Sequence, residues 1–121
     1  MNSIALEPGD ADLLRDLLVG EQQRLRSQQA ALDDTYRDLV DAADLEPPDD
    51  EHDPDGTTAY ERAQIGSLRR ASRIRLAEVD AALEGLDQGT YGACDRCGEP
   101  IPLGRLAAVL GTTRCITCAS G

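Results

Sequence analysis

The last quarter of the chain holds two Cys-x2-Cys pairs, Cys94–Cys97 and Cys115–Cys118, separated by seventeen residues. They account for all four cysteines of the 121-residue sequence. A Cys-x2-Cys pair presents two thiolates on one tight turn, and two such turns brought together complete a tetrahedral S4 site. Gly98 directly follows the first pair and suits a turn whose backbone N–H groups approach the sulfurs. The alternatives are disulfides, a redox Cys-x-x-Cys and buried free thiols. Disulfides belong to oxidising compartments, and no export signal is visible at the start of the sequence. A thioredoxin-like redox motif needs a βαβ pattern around it, and none is present. The pattern therefore predicts one structural Zn²⁺ on Cys94, Cys97, Cys115 and Cys118. Four thiolates leave no open position for water or substrate, so this zinc is not expected to be catalytic.

The rest of the sequence reads as helix. There is no Phe or Trp and there are only three Tyr; the apolar residues are mostly Leu and Ala, which suit long helices better than sheets. Residues from about 10 to 43 are expected to form one helix, with Asp10 or Asp12 as its cap. Leu18, Leu25, Leu32 and Leu39 recur every seven residues along it, the stripe of a helix packed along another helix. Gln22 and Gln29 interrupt the second seam position. The run from Leu45 to Gly56 contains three prolines and breaks the helix. Thr57 or Thr58 then caps a second helix to about Asp87, with Ile65, Leu68, Leu76, Val79, Leu83 and Leu86 as its apolar positions. Gly89 stands just past its end, where a left-handed residue is commonly required. Matched helices joined by a short linker fold back as an antiparallel hairpin; pairing of each stripe with another chain is the alternative.

The expected fold is thus mainly α. Residues 1–88 form an antiparallel coiled-coil hairpin with an acidic tip near 44–56, and residues 89–121 form a C4 zinc-finger module. Charge sharpens this division. The formal net charge is −11, and residues 41–56 hold eight acids and no Arg. Such a balance argues against binding DNA through its phosphates, so no sequence-specific DNA binding is expected. No window approaches the roughly 20 apolar residues of a membrane span, and a cytoplasmic location is expected. No Ser/His/Asp set, phosphate-cradling glycine loop or open metal site appears, so the chain is not expected to be an enzyme.

The run Gly89-Thr90-Tyr91-Gly92-Ala93-Cys94-Asp95-Arg96-Cys97-Gly98-Glu99-Pro100-Ile101, continuing through Arg105-Leu106 to Cys115-Ile116-Thr117-Cys118, resembles the DksA/TraR family of C4-type zinc-finger proteins. The preceding hairpin with its acidic tip extends the likeness. The resemblance implies a regulator that binds bacterial RNA polymerase, inserts its coiled coil into the secondary channel and modulates initiation, often together with ppGpp. The family's tip motif, Asp-x-x-Asp-x-Ala, is matched by Asp50 and Asp53, while Asp55 replaces the Ala. Asp50, Asp53 and Asp55 are therefore the residues expected to face the polymerase active site. That substitution bears on the effect on initiation more than on docking. Leu110 stands where a Pro is common in the family. The sequence runs three residues past Cys118, so the C-terminal helix of longer members is not expected, and it contains no Lys; a shared ppGpp site is not expected to carry over.

Arg69, Arg70, Arg73 and Arg75 form a basic cluster on the second helix. Ion pairing with the acidic first helix is one reading; a docking surface on the polymerase, for which Arg69, Arg70, Arg73 and Arg105 are candidates, is the other. Arg105 and Leu106 are expected to pack the zinc module. His52 is expected to be a solvated loop residue. The chain is expected to act as a monomer. The rival functions are a transcript-cleavage stimulator of the polymerase and a polymerase-independent protein-interaction adaptor.

Overall fold

The computed structural model describes residues 6–45 and 59–120. Four helices follow one another: α1 (Pro8–Leu45), α2 (Tyr60–Gln88), α3 (Leu103–Ala108) and α4 (Ile116–Ser120). Among the described residues the extended structure is confined to one isolated antiparallel bridge, Ala93 to Pro100. The architecture is the expected one, a long helical hairpin followed by a small cysteine-bearing module. No described helix is long and apolar enough to cross a membrane.

α1 begins two residues earlier than the sequence pattern suggested. The Ala11 N–H donates to the Glu7 carbonyl at 2.9 Å, so Pro8 takes the first helical position, where its missing N–H costs nothing and its fixed φ suits the helix. Asp10 consequently lies inside the first turn, placed to favour the dipole rather than to cap. α2 ends at Gln88, and Gly89 adopts φ +76° as its position required. Residues 46–58, which hold most of the acidic tip, His52 and the caps proposed at Thr57 and Thr58, lie outside the described residues.

The chain divides into two compact units, residues 1–24 with 75–121, and residues 25–74. In the first, Leu14 and Leu18 of α1 and Val79 and Ala82 of α2 are fully buried. Each large aliphatic side chain so placed contributes about 1.5–3 kcal/mol. The seam is flanked by Gln22 donating to Asp80 at 2.6 Å and Arg15 pairing with Asp87 at 2.6 Å. As the α1 number falls, the α2 number rises, which is the antiparallel sense. In the second unit Leu25 and Ser72 are the fully buried side chains among the described residues, and Leu32, Leu39 and Ile65 are half-buried. There Arg69 binds Asp33 at 2.8 Å and sets its guanidinium 4.3 Å from the Tyr36 ring centroid, a cation–π contact.

Candidate metal centre

Each cysteine pair is presented by a turn with a simple local cause. After α2, Tyr91 and Gly92 lead into the bridge at Ala93, and the Ile101 N–H returns to the Gly92 carbonyl at 2.8 Å. Within this short ribbon the Cys94 N–H donates to Glu99 and the Gly98 N–H donates to the Cys94 carbonyl, at 2.8 and 2.9 Å. Gly98 has φ +79°, a conformation that a Cβ would oppose. The result is a tight knuckle with Cys94 and Cys97 on its inner side. The second pair sits at the start of α4, where the Ala119 N–H donates to the Cys115 carbonyl at 2.9 Å.

Two contacts hold the two turns together, and a third ties α3 to the second of them. The Asp95 N–H donates to the Thr113 carbonyl at 2.8 Å, Arg114 pairs with Asp95 at 3.5 Å, and the Arg105 Nε donates to the Arg114 carbonyl at 2.9 Å. Leu106 and Ile101 are buried beneath them. The module meets the end of α2 at two glycines. A Cβ on Gly85 would stand 3.1 Å from the Tyr91 Cβ, and one on Gly111, at φ +89°, 3.1 Å from Arg75 and 3.4 Å from the Glu78 backbone.

The four sulfurs converge, all lying within 4.8 Å of one another. Cys97 Sγ and Cys115 Sγ are 3.8 Å apart, and a tetrahedron with Zn–S bonds of about 2.3 Å has edges of roughly 3.8 Å. The donor set therefore fits one structural Zn²⁺. Protonation fits as well. Backbone N–H groups, from Cys115 and then Cys97, hold the Cys94 thiol down at about 6. Cys118 is pushed up to about 12, first by its hydrogen bond with Cys115 and then by Cys94 and burial. Cys97 is raised although the Glu99 backbone pulls it down, because burial and the sulfurs of Cys94 and Cys115 outweigh that help. Thiols this close cannot all ionise unless a cation sits among them. With the four sulfurs as ligands the coordination shell is full, and the metal's contribution is to fold the segment around it.

The remaining candidate residues are dispersed. Arg69 is engaged with Asp33 and Tyr36, and Arg73 lies 3.9 Å from the same carboxylate. Arg75 approaches Glu21 at 3.8 Å, and Arg24 holds the same carboxylate at 2.7 Å and lowers its pKa. Among the described residues Arg70 donates only to Ser67, at 3.1 Å. Arg105 braces the module through Arg114, as just described. Asp50, Asp53 and Asp55 lie outside the described residues. The sequence pattern did not mark Arg114 or Gly111, since their roles arise from the path of the loop that joins α3 to the second cysteine pair.

A model of the prokaryotic dksA/traR C4-type zinc finger matches residues 89–121. An uncharacterised protein of Aquifex aeolicus is 42% identical over 64 residues, covering 53% of this chain and 44% of that protein. The RNA polymerase-binding transcription factor DksA of Caulobacter vibrioides is 28% identical over 92 residues, 76% of this chain and 60% of that one. The chain thus spans less than two thirds of either curated relative. Among solved structures, transcription factor DksA2 from Pseudomonas aeruginosa superposes with a TM-score of 0.78 at 32% identity, covering 94% of this chain and 83% of that one.

Proposed function

The chain belongs to the DksA/TraR family, and from that membership we propose that it regulates transcription by binding bacterial RNA polymerase. The observation that carries this reading is a helical hairpin joined to a closed four-sulfur site in a fold shared with DksA2. The division of labour follows from the chemistry. A full S4 shell offers no reactive position, so Cys94, Cys97, Cys115 and Cys118 hold one structural zinc that makes residues 89–121 a rigid base. Residues 1–88 are the working arm. Its acidic tip enters the polymerase secondary channel and presents Asp50, Asp53 and Asp55 towards the active site. Carboxylates there act on the polymerase's Mg²⁺ or on basic loops near it, since hard oxygen ligands suit that ion. Asp55 in place of the family's Ala bears on the effect on initiation more than on docking.

Of the arginines, Arg70 and Arg73 offer more to a partner than Arg69, whose guanidinium is already paired and stacked. The chain acts as a cytoplasmic monomer, performs no catalysis of its own and makes no sequence-specific DNA contact, in keeping with its net charge of −11.

The test is transcription in vitro with purified bacterial polymerase, comparing the wild type with Asp50→Asn/Asp53→Asn and measuring binding in parallel. Both proteins are expected to bind, with the variant losing most of the effect on promoter output. Equal effects of the two would remove the role given to the tip. Absence of binding by either would remove the polymerase reading itself. Stimulated RNA cleavage in stalled complexes would make the chain a cleavage factor instead.

A further inference from the structure

Paired helices gain their stability by burying an apolar seam, and the unit of residues 25–74 departs from that rule at one layer. Leu25 is 2% exposed, and the other fully buried side chain among the described residues is a polar one, Ser72 at 5%. Among the described residues the Ser72 hydroxyl has no hydrogen-bond partner, and neither has the buried Oε1 of the half-buried Gln29. The Asp33–Arg69 pair at 2.8 Å sets the local register. One turn back from Asp33 on α1 is Gln29, and three residues on from Arg69 on α2 is Ser72. In antiparallel helices these steps run the same way, so the two polar side chains share a layer.

A buried polar atom without a partner is destabilising, and Leu and Ala would fill these two positions with no such atom. What a polar layer supplies in return is alignment. In paired helices a single polar seam position specifies register, because a slip sets it against apolar neighbours. Here a slip of one heptad in either direction sets Gln29 against Ile65 or Val79. The leucine stripe alone, repeating every seven residues, does not distinguish these alignments.

We infer that Gln29 and Ser72 form a buried polar layer that fixes the antiparallel register of the hairpin at the expense of its stability. The inference is independent of any polymerase contact. It is tested on the zinc-loaded full chain with Ser72→Ala, Gln29→Leu and the double variant, by thermal unfolding and NMR. In the wild type the Tyr36 ring lies against Gly66, whose added Cβ would be 3.9 Å from Tyr36 Cε1. A single set of signals with a Tyr36–Gly66 contact is therefore expected. The double variant should melt several degrees higher and show a second set, with Tyr36 contacts one heptad away at Ala59 or Arg73. Should the double variant fail to fold, Gln29→Leu carries the register readout and Ser72→Ala the thermal one. A higher midpoint with only the Tyr36–Gly66 contact overturns the register role. A lower midpoint in both single variants overturns the claim that the layer costs stability.

Discussion

At the four sulfurs, spacing determines what the residues are for and surroundings determine how they are protonated. Cys94, at about 6, is largely thiolate at neutral pH, whereas Cys118, at about 12, and the raised Cys97 keep their protons. Zinc binds thiolates, so it must displace those protons. Binding at pH 7 is expected to release at least about two protons per metal, measurable by calorimetric titration in buffers of different ionisation enthalpy. The sign of the pH dependence follows. Acid returns protons to the sulfurs and weakens zinc binding, with a further loss as the pH falls through about 6 and Cys94 itself is protonated. Release of fewer than one proton would mean that the sulfurs are already ionised without metal. All four ligands were legible in the sequence, because cysteine pairs at this spacing carry their chemistry with them. Arg114, which pairs with Asp95 of the first knuckle and through its carbonyl accepts from Arg105 of α3, was not. An arginine in a loop has no pattern, and only the path of the chain gives it partners.

The helices were legible where their period was clean and misleading where it was mixed. In α1 the stripe through Leu18 and Leu25 marks the buried face, and Leu14, one turn earlier, extends it as a fully buried residue that the seven-residue count passes over. In α2 the count from Ile65 reaches Ser72, Val79 and Leu86. Leu68 falls off that line and is 47% exposed, while the unremarkable Ser72 and Ala82 are buried. Composition cannot separate these, since small and polar residues carry no hydrophobic signal even on a packed face. The contrast gives a direct test on α1. Leu13 is 49% exposed and its neighbour Leu14 is fully buried. Leu14→Ala should lower the unfolding free energy by about 2–5 kcal/mol through lost burial and a residual cavity. Leu13→Ala, on the outer face, should change it by no more than about 0.5 kcal/mol. Denaturant titration of the zinc-loaded protein measures both, and similar losses at the two positions would mean that the outer face is covered in solution.

For the whole molecule the question is what depends on the metal. Residues 89–120 contain two helices of six and five residues and one isolated bridge, and their buried side chains include Tyr91, Cys94, Ile101 and Leu106. A segment of that size cannot offset its conformational entropy from such a core, so its folding free energy is in large part the metal's binding energy. The hairpin seam has another source of stability, the packing of Leu14, Leu18, Val79 and Ala82, in which no sulfur takes part. Removing zinc with a chelator should therefore abolish the protection of the Cys94, Gly98, Ile101 and Ala119 amides, each hydrogen-bonded inside the module. The amides around Leu18 and Val79 should keep theirs. An intermediate response is expected near Gly85 and Glu78, where Tyr91 and Gly111 come within contact distance of α2. Hydrogen exchange read by mass spectrometry separates these cases. Loss spread evenly over residues 14–24 and 75–119 would show that the metal supports the hairpin seam as much as its own module. Retention throughout would show that the module's few buried side chains suffice without zinc. The expected gradient, steep across the cysteine turns and shallow along the helices, follows from where each segment obtains its stability.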